Sequence, residues 1–161
     1  MPDPTIEAAG LILDGSLNEM RRVIEGLPPD VLGWRPAGDD TNPLAVLTVH
    51  AMHSTRWWLS VALGAPPPER DRPSEFRASA TDAAELLSFF DRMAADCRAL
   101  VATEKTFEAA GTFRPEPSTG DDPGTAAWAL LHAVEHLREH VAHASLTRQL
   151  WEARRAPGEG S

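Results

Sequence analysis

Apolar residues recur at intervals of three and four along four long stretches of the chain, which is the spacing of one face of an α-helix. These stretches cover residues 5–27, 43–63, 82–106 and 125–156. Segments rich in Pro, Gly and Asp separate them, above all residues 65–80 and 107–124. No stretch alternates apolar and polar residues as a half-buried strand would. The pattern predicts an all-α protein, a four-helix bundle with long loops.

Residues of the types that favour helix starts precede three of these stretches. Before the second stretch, Pro43 directly follows Thr41 and Asn42 and stands at the first helical position, which suits proline. A short helical turn is also expected near Asp30, after the first helix. The expected capping residues of the second, third and fourth helices are, in that order, Thr41 or Asn42, Ser79 or Thr81, and Thr125.

The fourth helix carries two opposite stripes. Leu130, Val134, Leu137 and Val141 form an apolar stripe. The other stripe holds four of the six histidines of the chain, His132, His136, His140 and His143. Their offsets of four, four and three residues keep the imidazoles within about one quadrant of the helix, and Glu139 falls on the same side.

Two histidines four residues apart on one helix can chelate a single divalent cation. The pairs His132/His136 and His136/His140 have this spacing, whereas His140 and His143 are three residues apart. The simpler interpretation is a solvated polar face. We favour a metal site, because Lys, Glu and Arg are the commoner residues on such faces.

His50 of the second helix shares a stripe with apolar neighbours and is therefore expected to point into the core. A single histidine in that position is more often a core residue bonded to a carbonyl or a side chain. Bundles, however, build metal sites from facing helices. His50 and the histidine stripe would together supply three imidazoles and leave a position for water, as in catalytic sites.

Charge and composition limit the possible functions. The formal net charge of -9 argues against a nucleic-acid partner. The single cysteine, Cys97, excludes an intramolecular disulfide, and the first ten residues lack the pattern of a signal peptide, so a cytoplasmic location is expected. Residues 43–63 are long enough to span a bilayer, but polar side chains from His50 to Arg56 interrupt them, so we expect a buried helix and no membrane partner.

Three segments of the chain carry a resemblance to a known family: WRPAGDDTNPLAVLTVHAMHSTRWWL, RDRPSEFRA and EHLREHVAHASLTRQL. They resemble the DinB-like superfamily, metal-binding helical bundles that include the metal-binding domain of mycothiol-dependent maleylpyruvate isomerases. The resemblance covers nearly the whole chain, so we expect one domain over residues 1–156 and a disordered tail over 157–161. It implies an up-down-down-up order of helices and a divalent metal, zinc or nickel, bound by His50, His136 and His140.

The resemblance also implies candidate functions. Some members use a low-molecular-weight thiol such as mycothiol or bacillithiol in transferase or isomerase reactions on small-molecule substrates. We therefore expect a thiol-dependent metalloenzyme, and the alternatives are a thiol-independent hydrolase and a non-enzymatic metal-binding or interaction module. The catalytic group is unassigned. The residues expected to orient the site are His143, which stands where many relatives have Gln, and Glu139; those expected to bind substrate are Trp57, Arg70 and Arg72.

A homodimer is expected from two observations. Members of the superfamily commonly dimerise. In addition, the second helix is apolar nearly all round and the fourth has its own apolar stripe, which together offer more apolar surface than one small core needs.

Overall fold

The computed structural model describes residues 3–103, 106–113 and 124–155, and nearly all the regular structure in these ranges is helical. The helices are α1 (Pro4–Ile24), α2 (Pro29–Leu32), a 3₁₀ turn (Gly38–Asp40), α3 (Leu44–Ala62), α4 (Arg72–Glu75), α5 (Ala83–Thr103) and α6 (Ala126–Arg155). Two short strands, β1 (Thr112–Phe113) and β2 (Gly124–Thr125), form an antiparallel pair that the sequence pattern did not predict. The predicted all-α class is confirmed.

Each long helix packs against two of the other three, and the contacts between neighbours show their relative directions. These contacts are Glu19–Arg138 and Val23–Arg148 for α1 and α6, Asp14–Arg98 and Arg21–Asp91 for α1 and α5, His53–Phe89 and Arg56–Asp96 for α3 and α5, and His50–His140 and Trp58–His132 for α3 and α6. Residue numbers rise together between α1 and α6 and between α3 and α5, so the helices of these two pairs are parallel. They run in opposite directions between α1 and α5 and between α3 and α6, so the helices of these two pairs are antiparallel. The order is therefore up-down-down-up, as predicted.

The core lies between the four long helices. The apolar stripe of α6 is buried within the chain, with no member more than 6% exposed, and α3 is buried on most of its surface. The apolar surface that suggested a homodimer is therefore used inside one chain. The homodimer stays a prediction. Among the described residues, the large apolar side chains that remain exposed are Leu11, Ile12, Trp128, Leu131, Leu146 and Leu150.

The helix starts differ in part from the prediction. Pro43 precedes α3 and no side chain caps this helix; the hydroxyl of Thr41 instead donates to the carbonyl of Gly38. At α5 the capping carboxylate belongs to Asp82, which accepts from the backbone N–H of Glu85 at 2.8 Å. The Glu85 carboxylate in turn accepts from the backbone N–H of Thr81, so Thr81 is a donor here and not the cap.

The predicted cap of the last helix is confirmed, because the Thr125 hydroxyl accepts from the backbone N–H of Trp128 at 3.2 Å. The predicted turn near Asp30 is α2. Residues 65–80 were predicted to be a loop throughout, but they contain the helical turn α4. The predicted disordered tail, residues 157–161, lies outside the described residues.

Among the described residues, no helix combines the length and the apolar composition that crossing a bilayer requires.

Candidate metal centre

Three histidines meet where α3 and α6 pack against each other. His50 comes from α3, and His136 and His140 come from successive turns of α6. The ring centroid of His50 lies 5.2 Å from that of His136 and 5.0 Å from that of His140, and the two α6 rings are 4.5 Å apart. One nitrogen of each ring lies within 4.8 Å of the corresponding nitrogens of the other two. The three side chains are thus positioned to hold a single metal ion.

His50 is held from behind by a carboxylate and a guanidinium. Its Nδ1 lies 2.8 Å from Oε2 of Glu75. The Glu75 carboxylate also accepts hydrogen bonds from Nε and Nη2 of Arg70, at 2.6 and 2.9 Å. Because an ionised carboxylate only accepts, Nδ1 of His50 must be the donor, which leaves the lone pair on Nε2 for a cation. The ring of Phe76 packs 4.7 Å from the imidazole.

Glu75 is ionised although it is only 3% exposed. Burial alone would raise the pKa of its carboxyl, but the hydrogen bonds from His50 and Arg70, with the charge of Arg70, lower that pKa to about 2. The helical turn α4 positions this residue: Asp71 caps the turn by accepting from the backbone N–H of Ser74, and Pro73 suits its first positions.

Glu75 was not predicted from the sequence as a site residue. Its segment, RDRPSEFRA, carried only part of the family resemblance and lay in the predicted loop of residues 65–80. A signal was present, because Asp71 with Pro73 two residues later is the pattern of a helix start. That pattern would have predicted a short turn ending near Glu75, although not its contact with His50.

The two α6 imidazoles are arranged differently. Their Nε2 atoms lie 3.3 Å apart, and their buried Nδ1 atoms have no hydrogen-bond partner among the described residues. Burial lowers the pKa of His136 to about 3, with further lowering from His140 and His50. Burial likewise lowers the pKa of His140 to about 4, with His50 and His143 adding to it. Both rings are therefore neutral near pH 7, which is the form that binds metal.

The spacing of the two α6 ligand nitrogens fits a tetrahedral divalent ion. Zinc–imidazole bonds of about 2.0–2.1 Å at a tetrahedral angle place two ligand nitrogens about 3.3–3.4 Å apart. The separation of the His136 and His140 Nε2 atoms, 3.3 Å, agrees with this. The three imidazoles thus suit the divalent metal ion that the sequence predicted.

The other polar residues of the stripe lie outside this cluster. The ring of His132 is 5.5 Å from that of His136 and packs against aromatic side chains. His143 and Glu139 are exposed, and no hydrogen bond joins either to the three histidines in the described ranges. Their predicted orienting roles stay predictions, and at His50 it is Glu75 that makes such a contact.

Two of the three residues predicted to bind substrate line one surface pocket. Trp57 and Arg70 border a cavity of about 720 Å³ whose other walls are formed by Pro67, Pro68, Glu69 and Asp71. Arg72 lies elsewhere, with its guanidinium 5.4 Å from the centre of the Phe76 ring. Arg70 therefore connects the pocket to the metal centre, because the same guanidinium binds Glu75. A role of these residues in substrate binding stays a prediction.

Comparison with known proteins finds a matching family model and similar solved structures. A family model described as the DinB superfamily matches residues 12–144, a range that contains all three histidines. Among solved structures, the crystal structure of the conserved protein of locus from Enterococcus faecalis aligns with a TM-score of 0.73 and 14% sequence identity, over 95% of this chain and 99% of that chain. At that identity the likeness shows the fold alone. No curated protein matches the chain.

Proposed function

This chain belongs to the DinB superfamily, and from that premise and the geometry of the three imidazoles we propose that it is a metalloenzyme. In this proposal His50, His136 and His140 hold one divalent cation, zinc or nickel. The enzyme acts on a small molecule with a low-molecular-weight thiol such as mycothiol or bacillithiol, as an S-transferase or isomerase. The observation that carries the proposal is the convergence of three imidazole nitrogens within 4.8 Å of one another.

The donor set supports zinc or nickel, because imidazole nitrogen suits both ions. A cation held there would lower the pKa of a bound thiol or water and so supply a nucleophile near neutral pH. Three protein ligands are also the number that catalytic zinc sites use, with the remaining position left to water or substrate.

The charge balance of the site favours a thiolate as the additional ligand. All three protein ligands are neutral imidazoles, so they cancel none of the charge of a divalent ion. The carboxylate that contacts a ligand, that of Glu75, bonds to the Nδ1 side of His50 and is paired with Arg70. An anionic ligand such as a thiolate therefore meets a site of net positive charge, and thiolates are the soft donors that zinc binds well.

The pocket beside the centre supports a small-molecule substrate. Its lining includes both Trp57 and Arg70, and an aromatic and a cationic residue together suit a molecule with both apolar and anionic groups. Arg70 is 16% exposed at its side chain, so part of it remains accessible from the pocket while it holds Glu75.

The test uses protein purified without a metal-affinity tag. Elemental analysis should find one divalent ion per chain, and a panel of electrophilic substrates should be turned over only when a thiol is added. His136→Ala should abolish both properties, and His132→Ala, which removes a histidine one turn away, should leave the metal bound. Turnover without added thiol would replace the transferase with a hydrolase. Metal binding without turnover would leave a non-enzymatic metal-binding module, and no metal affinity at all would refute the proposal.

A further inference from the structure

A column of rings leads along α6 away from the metal centre. Trp128, His132, His136 and His140 stand at every fourth position of this helix and therefore on one stripe. Their successive ring centroids are 4.7, 5.5 and 4.5 Å apart. The last two rings belong to the proposed metal ligands, whereas the first two have no role in binding the ion.

The outer end of this column is a fixed aromatic surface. The indole of Trp128 stacks on the imidazole of His132 with an angle of 14° between the rings. Trp58, which is only 7% exposed, meets both rings edge-on at 5.2 and 4.9 Å. Phe113 packs against Trp58 in the same manner. Trp128 is thus packed on one side against Trp58 and His132, and the rest of its surface remains exposed.

Trp128 differs from two other tryptophans that lie near the surface. Trp34 lies beneath the guanidinium of Arg154, and Trp151 lies beneath that of Arg155. Among the described residues no cation lies over Trp128 in this way, and 49% of the residue is exposed. A large aromatic surface left in water beside a candidate active site is typical of a ligand-binding surface.

We propose that Trp128 and His132 form a subsite for a planar aromatic group of the substrate, the reacting group of which reaches the three histidines. This inference rests on the proposed metal site. It narrows the substrate class to molecules in which an aryl group and a metal-directed group are separated by a linker. The linker must span two ring-to-ring steps, from Trp128 past His132 to His136.

The test is a set of hydroxamates of increasing length, measured by calorimetry on the zinc-loaded protein. The hydroxamate head binds the ion in every member, and the tail is either phenyl or cyclohexyl on a linker of zero to four methylene groups. Stacking should favour phenyl over cyclohexyl by roughly threefold to tenfold. The preference should appear only at the linker lengths that reach Trp128.

The matched variants are Trp128→Leu and Trp151→Leu, which remove one tryptophan each from the same helix. Trp128→Leu should abolish the phenyl preference without changing the affinity for acetohydroxamate, which has no tail, whereas Trp151→Leu should leave the preference intact. His132→Leu provides a second variant on the same surface and should also reduce the preference. A circular dichroism spectrum establishes that each variant folds.

Two results would overturn the inference. One is the absence of a phenyl preference at every linker length, and the other is an equal loss of preference in Trp128→Leu and Trp151→Leu. Failure of the metal site itself would appear separately, because acetohydroxamate would then not bind to any of the proteins.

Discussion

His50 and the pair formed by His136 and His140 reach one point from opposite sides, but the protein holds them in different ways. His50 is fixed by a hydrogen bond to a buried carboxylate, which Arg70 holds in turn. The two α6 rings have no such support, since their Nδ1 atoms lack partners in the described part of the chain. The backbone spacing of a single helix and contacts between rings position them instead.

The difference shows that the two sides of the site depend on different parts of the molecule. A long, well-packed helix positions the α6 pair, so that side is as rigid as the bundle. The α3 side depends on α4, a four-residue turn in the segment between α3 and α5. Glu75 lies 25 residues from His50 along the chain, so the orientation of one ligand is coupled to the folding of a distant loop.

The largest expected effect is the loss of metal affinity when a ligand is removed from either side of the site. Replacing His50, His136 or His140 singly by Ala removes one of three protein bonds to the ion, so each variant should lose more affinity than the roughly 10–100-fold that loss of a supporting contact costs. Titration calorimetry with zinc measures this. His132→Ala is the matched control and should bind almost as the parent does. If His132→Ala abolished binding and His140→Ala did not, the ligand pair would lie one turn earlier on α6.

A smaller effect should separate the two sides. Glu75→Gln keeps an acceptor for Nδ1 of His50 but removes the charge that holds both His50 and Arg70, so zinc affinity should fall roughly 10–100-fold. Glu69→Gln makes the same chemical change at an exposed position of the same loop and should leave affinity unchanged. Equal effects of the two variants would show that Glu75 acts only through the net charge of the loop.

The smallest expected effect is a change in the stability of the metal-free protein with pH, and it arises from the α6 histidines. Burial lowers the pKa of His136 to about 3 and that of His140 to about 4, against about 6.5 when unperturbed. The unfolded chain therefore binds protons that the folded chain does not, and stability should fall as the pH drops from about 6.5 towards these values. Thermal melts between pH 7 and pH 4 measure the decline.

The comparison for these melts is between His136→Gln and His143→Gln. The first removes a partly buried histidine and should flatten the pH dependence, whereas the second removes an exposed one from the same helix and should not. Identical curves for His136→Gln and the parent would contradict the assignment of this linkage to the partly buried α6 rings.

The same contrast explains which features the sequence could reveal. The α6 stripe is local, because helical periodicity alone places His136 beside His140. Spacing cannot choose between that pair and His132/His136, which have the same offset, and the choice rested on resemblance. The facing position of His50 followed from its apolar neighbours on α3. Glu75 could not be placed, since its contact with His50 depends on how a proline-rich segment without periodicity folds back on α3.

The helix ends show a similar limit. Thr125 was correctly predicted as a cap because it directly precedes the periodic residues of α6. At α5, Thr81, Asp82 and Glu85 offer several mutually compatible hydrogen bonds, and only the backbone geometry selects Asp82 as the acceptor. A shift of one residue at a helix end does not affect the site, because His50 lies well inside α3 and His136 and His140 lie well inside α6.

X-ray absorption spectroscopy on the zinc-loaded, untagged protein tests the central claim most directly, because it counts the imidazoles around the ion. We expect three imidazole ligands with zinc–nitrogen distances of about 2.0–2.1 Å, together with an oxygen ligand from water or a sulfur ligand from a thiol. His50→Ala, loaded at saturating zinc, should show two imidazoles. Three imidazoles in both proteins would contradict the account, since the ion would then be bound along α6 without His50.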